Sequence, residues 1–108
     1  MSKRYENKGH LSYVHEFPCC LQPKGECSGE IQAHHLLKPW DGFRGMGLKA
    51  TDRNLIPLCF KHHHELHHVG NELKFFDMKF GDEDWGKQVA RVLWVTSPHN
   101  KDGVKNDF

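Results

Sequence analysis

The segment Cys59-Phe60-Lys61-His62-His63-His64-Glu65-Leu66-His67-His68 constrains this chain more than any other, because it places five histidines within seven positions and contains neither glycine nor proline. Such a run reads as a helix from Phe60 to Val69, with Leu66 as its buried residue and Gly70 as the residue that ends it. On a helix, residues four apart share a face, so His63 and His67 can hold one divalent cation together, as can His64 and His68 on the neighbouring face. A second histidine pair, His34-His35, falls in Ile31–Leu37, which reads as a short strand. Adjacent strand residues point to opposite faces. If His34 completes a three-imidazole site with His63 and His67, His35 is aimed elsewhere and is available as a base. The competing reading is a solvated helix face that traps metal incidentally.

Size makes a metal staple attractive. A chain of 108 residues, 37% hydrophobic, forms one small domain, and domains of this size are marginal without extra stabilisation. The four cysteines, Cys19, Cys20, Cys27 and Cys59, are unevenly spaced and read as thiolate ligands rather than disulfides. Cys59 and His62 form a C-x-x-H pair which, with the upstream cysteines around the turn-rich Pro23–Gly29 stretch, suffices for a tetrahedral zinc site.

The formal net charge of +1 excludes a global field that would draw the chain to nucleic acid or membrane, so any such contact has to be local. No apolar run is long enough to span a bilayer, and the first eight residues are polar and charged, which predicts a cytoplasmic protein with no membrane partner. Residues 1–8 and 98–108 are expected to be flexible tails around one folded unit, 9–97. Within it, Leu11, Val14 and Phe17 suggest a short helix before Pro18. Pro39 to Asn54 reads as a long loop, and Leu55–Leu58 as a minimal strand that Pro57 consigns to an edge. Phe75, Phe76, Met78 and Phe80 form an aromatic cluster. Trp85, Val89, Val92 and Leu93 fall on one helical face and are expected in the core.

Three strings in order, Ile31-Gln32-Ala33-His34-His35-Leu36, Asp52-Arg53-Asn54-Leu55-Ile56-Pro57-Leu58-Cys59 and Lys61-His62-His63-His64-Glu65-Leu66-His67, resemble the HNH endonucleases, in particular their small phage and prophage members. The resemblance covers residues 19–70. It implies an α+β fold: a ββα-metal nuclease core with flanking helices, stapled by a structural zinc. It implies His34, His63 and His67 as ligands of a catalytic cation (Mg2+, Mn2+, Ni2+ or Zn2+), His35 as general base, and Asn54 as the residue that holds the His35 imidazole in orientation. It implies Cys27, Cys59, His62 and one of Cys19 or Cys20, preferably Cys19, as ligands of one Zn2+. The upstream pair departs from the usual C-x-x-C.

The chemistry is coherent with those residue types. Phosphodiester hydrolysis needs a nucleophile made from water near neutral pH and charge stabilisation on the phosphate, which imidazole and a divalent cation supply. Lys38, Arg44, Lys49 and Arg53, interleaved with Trp40 and Phe43, are candidate contacts to DNA, with a plain solvated loop as the competing reading. The expected activity is nicking of double-stranded DNA by a monomer, with dimerisation on DNA or a phage or recombination partner as further possibilities. A zinc-stapled nucleic-acid-binding module without catalysis stays open, as does an accessory nuclease that needs a partner protein.

Overall fold

The computed structural model describes residues 7–40 and 51–100, and the element order among them is helix, strand, strand, then three helices. Helix α1, Lys8–His15, is capped by Asn7, whose side-chain oxygen accepts from the His10 amide. Strand β1, Ile31–His35, pairs antiparallel with β2, Leu55–Cys59, in the register Ile31 with Cys59 and His35 with Leu55. Helix α2, Phe60–Val69, follows β2 without a linking residue, because Cys59 ends the strand and also caps the helix, its Sγ accepting from the His62 amide. Gly70 closes α2 in the left-handed region at φ 77°, where a side chain would be strained. Helix α3, Glu72–Phe80, is capped by Asn71, and α4 runs from Trp85 to Thr96. The result is a small α+β fold of a two-stranded sheet and four helices among the described residues.

The core lies on the α2–α3 side of the sheet, where Leu36, Ile56, Leu58 and Leu66 meet Phe75, Phe76 and Ala90. A smaller cluster of Val14, Leu55 and Leu93 packs under α1 and α4. β2 is buried at every position although it contains Pro57, and the Pro57 carbonyl accepts from the Cys20 amide, which ties the cysteine-bearing segment to the sheet.

Several expectations are corrected. The aromatic cluster is a helix, and Met78 points outward, 62% exposed, while Phe75 and Phe76 are buried. Helix α4 is turned in part from the expected face: Leu93 is buried and Trp85 and Val89 pack against the core as expected, but Gly86, Ala90 and Trp94 are buried with them and Val92 is 56% exposed. Gly86 explains the rotation, since a Cβ there would lie 2.6 Å from the Phe76 ring, so α4 packs this bare position against α3. The long loop contains a 3-10 turn at Asp52–Asn54. The backbone amide of Asn7 donates to Asp52 and its side chain to the His99 carbonyl, tying both ends of the described chain to the body. No helix among the described residues is long and apolar enough to cross a membrane.

Candidate metal centres

Two clusters of ligand-type side chains are assembled, and α2 contributes to both. The first is Cys19, Cys27, Cys59 and His62, whose ligand atoms all lie within 4.8 Å of one another. His62 Nδ1 is 3.2 Å from Cys59 Sγ and 3.6 Å from each of Cys19 and Cys27. Sulfur and nitrogen ligands of a tetrahedral zinc are separated by about 3.5 Å given their usual bond lengths, so the donor set fits that ion. The Leu21 amide donates to Cys19 Sγ and the His62 amide to Cys59 Sγ, both at 3.4 Å, which favours thiolates there. Gly25 and Glu26, both at positive φ, turn the chain that brings Cys27 in.

The four groups of the cluster are shifted in different directions. Burial raises the Cys19 thiol, and burial with the neighbouring thiols pushes Cys27 up to about 12. At Cys59 burial acts in the same sense but is outweighed by hydrogen bonds from the amides of His62 and Ser28 and from the Cys19 and Cys27 side chains together, and the thiol is lowered. Burial also lowers His62, leaving its nitrogen unprotonated for a metal. Of the two upstream candidates, Cys19 joins the cluster, and Cys20 lies outside it with its thiol raised by burial.

The second cluster is His34, His63 and His67, again with ligand atoms within 4.8 Å. β1 supplies His34, 4% exposed, and α2 supplies the other two one turn apart. His63 Nε2 lies 3.1 Å from both His34 Nδ1 and His67 Nε2. The outward nitrogens are occupied: His34 Nε2 is 2.9 Å from Glu72 Oε1, and His63 Nδ1 bonds the side-chain oxygen of Gln32. Carboxylate and amide oxygens only accept, so both imidazoles donate outward and turn lone pairs toward each other. Two lone pairs at that separation repel unless a cation lies between them. Burial, then His34 and His67, lower His63 to about 4, so its own ring carries no second proton at neutral pH. The spacing suits a transition metal, because two imidazole nitrogens on tetrahedral zinc are about 3.3 Å apart.

His35 points away from this cluster. Its Nε2 is 2.7 Å from Asp52 Oδ1, and the other oxygen, Oδ2, accepts from the Asn7 amide at 2.8 Å. The carboxylate that orients His35 is therefore that of Asp52. Asn54, on the same 3-10 turn as Asp52, accepts through Oδ1 from the Trp40 amide, donates through Nδ2 to Thr51, and accepts through its carbonyl from the Leu36 amide. Lys38 is exposed, and the Arg53 guanidinium lies 5.7 Å over the Trp94 ring. Arg44 and Lys49 fall outside the described residues. Sequence reasoning missed Asp52 and Glu72; Asp52 opens a 3-10 turn and Glu72 opens helix α3, where an acid is easily assigned to the helix dipole alone.

Fold and clusters together define a small α+β domain whose histidine and cysteine side chains form two separate candidate metal centres. The chain belongs to the family described as a protein of unknown function (DUF968), whose model matches residues 1–93. It is 34% identical over 83 residues to the uncharacterized protein YdfU of Escherichia coli (strain K12), a match that takes in 75% of this chain and 21% of that relative. The chain thus spans about a fifth of the length of the curated relative it matches. No solved structure matches.

Proposed function

We propose that this chain is a metal-dependent nuclease core of HNH type that hydrolyses DNA phosphodiester bonds, nicking one strand per active site. One observation carries the reading: successive residues of β1 send imidazoles to opposite sides, His34 into the three-nitrogen cluster and His35 onto the Asp52 carboxylate. The order β1, β2, α2, with the histidines on β1 and α2, supports the ββα-metal arrangement that the sequence resemblance implies.

His34, His63 and His67 would hold a divalent cation, and when bound it would stabilise negative charge on the phosphate and the departing oxygen. The chain's own residues account for the proton. With Asp52 accepting from Nε2, the basic lone pair of His35 is on Nδ1, and the carboxylate stabilises the imidazolium that forms when water gives up its proton. The water oxygen makes the new bond to phosphorus, the bond to the leaving sugar oxygen breaks, and that oxygen takes a proton from solvent. Lys38 and the Arg53–Trp94 pair would contact the sugar–phosphate backbone. The Cys19–Cys27–Cys59–His62 cluster would hold a structural Zn2+ that anchors the segment before β1 to the start of α2.

The test is relaxation of supercoiled plasmid with Mg2+, Mn2+, Ni2+ or Zn2+ by the parent chain and by His35→Ala. Open circles formed by the parent and lost in the variant support the reading. DNA bound but left intact in every metal would reverse it in favour of a zinc-stapled binding module, and cleavage restored by a second protein would favour an accessory nuclease.

A further inference from the structure

Glu72 is 3% exposed, and a carboxylate so deeply buried needs partners. It has three. Oε1 accepts from His34 Nε2 at 2.9 Å and from the Leu37 amide at 2.9 Å, and Oε2 accepts from the Lys38 amide at 3.0 Å. The Asn71 cap already serves the α3 amides by accepting from Lys74, so Glu72 is released from that task and reaches back across the sheet. One side chain thereby joins the inner histidine of the three-nitrogen cluster to the turn that leaves β1.

We infer that Glu72 is a positioning residue that fixes His34 as an Nδ1 ligand and couples metal capture at the histidine cluster to the conformation of the Leu37–Lys38 turn. The inference rests on that cluster being a metal centre, and it stands apart from whether the chain cuts DNA. Its physical content is twofold. A carboxylate on the outer nitrogen of a ligating histidine holds the ring in one tautomer and raises its basicity, and removing such a partner typically weakens metal binding about 10- to 100-fold. The carboxylate also carries two backbone amides of the segment bearing Lys38, so a cation that draws His34 into place fixes the same carboxylate whose two amide bonds hold the turn. Gln32 plays the simpler part for His63, with no backbone in its charge.

The experiment uses the full chain with the thiolate cluster preloaded with zinc, then titrated with Co2+ as the probe. Three quantities are read: the affinity for the added Co2+ from its visible absorption, the metal-bearing nitrogen of His34 from 15N NMR with Zn2+ replacing Co2+, and hydrogen exchange at the Leu37 and Lys38 amides. The parent is expected to take up one further metal, through His34 Nδ1, and to slow exchange at both amides. Glu72→Gln is expected to bind that metal about 10- to 100-fold more weakly and to lose the metal-dependent slowing, with the zinc of the thiolate cluster retained. Equal affinity in parent and variant, or a parent His34 that binds through Nε2, overturns the role of Glu72. A parent that takes up no further metal overturns the histidine centre itself. The NMR reading needs only the parent, so a poorly folding variant does not spare the inference.

Discussion

His10 is wholly buried on α1 with neither ring nitrogen hydrogen-bonded, its ring set edge-on to Trp94 at 5.0 Å. Burial lowers its pKa from 6.5 to about 4, against a smaller upward pull from Asp52 and with a smaller downward push from His99. The sign follows from proton counts. Between the two values the unfolded chain binds the proton and the folded chain does not, so stability is intact above pH 6.5 and falls as pH drops toward 4. The whole displacement corresponds to about 3 kcal/mol, of which about 2 kcal/mol is gone between pH 7 and pH 5. His10→Leu removes the titrating group and the two unpartnered nitrogens while keeping a helix-favouring side chain of similar bulk. Urea unfolding of parent and variant at pH 7 and pH 5, with identical metal loading, isolates the effect, since other acid-labile groups are common to both. The variant should be at least as stable at pH 7, and its margin over the parent should widen by about 2 kcal/mol at pH 5. A margin that is the same at both pH values would refute the assignment.

Cys27→Ser should abolish zinc retention at the thiolate cluster and lower the melting temperature, whereas Cys20→Ser should leave the zinc content of purified protein unchanged, as metal analysis will show. Asp52→Asn should slow plasmid nicking about 100-fold while leaving metal uptake at the histidine cluster intact, because its carboxylate meets His35 and not the three ligands. Gly86→Ala should destabilise the fold by about 1–3 kcal/mol in chemical denaturation, since the added methyl meets the fully buried Phe76 ring.

What could be read ahead of the structure was what depends on local spacing. Helix α2 runs over Phe60–Val69 as its glycine-free run and Gly70 require, and His63 and His67 meet because they are four apart. The partition of His34 from His35 follows from strand alternation alone. Long-range features were less legible. Helix α4 carries two plausible apolar faces, and the choice was made by a glycine that admits Phe76, a partner on another helix. Helix α3 hid behind four closely spaced apolar residues that also suit a strand, and the Asn71 cap was the overlooked cue. Asp52 and Glu72 lie 17 and 38 residues from the histidines they hold, and no period in the chain encodes such pairings. Cys19 is distinguished from Cys20 only by which thiol the turn directs at His62.

We propose that the histidine cluster, and not the thiolate cluster, is where DNA would be cut. Nicking rate measured against equivalents of metal added to metal-free protein tests it in a single titration, with zinc supplied first and Mn2+ or Ni2+ second. Filling the thiolate cluster should yield folded but inactive protein, and nicking should rise in proportion to occupancy of His34, His63 and His67. Nicking that is complete with the thiolate cluster alone, or absent with both centres full, would contradict it.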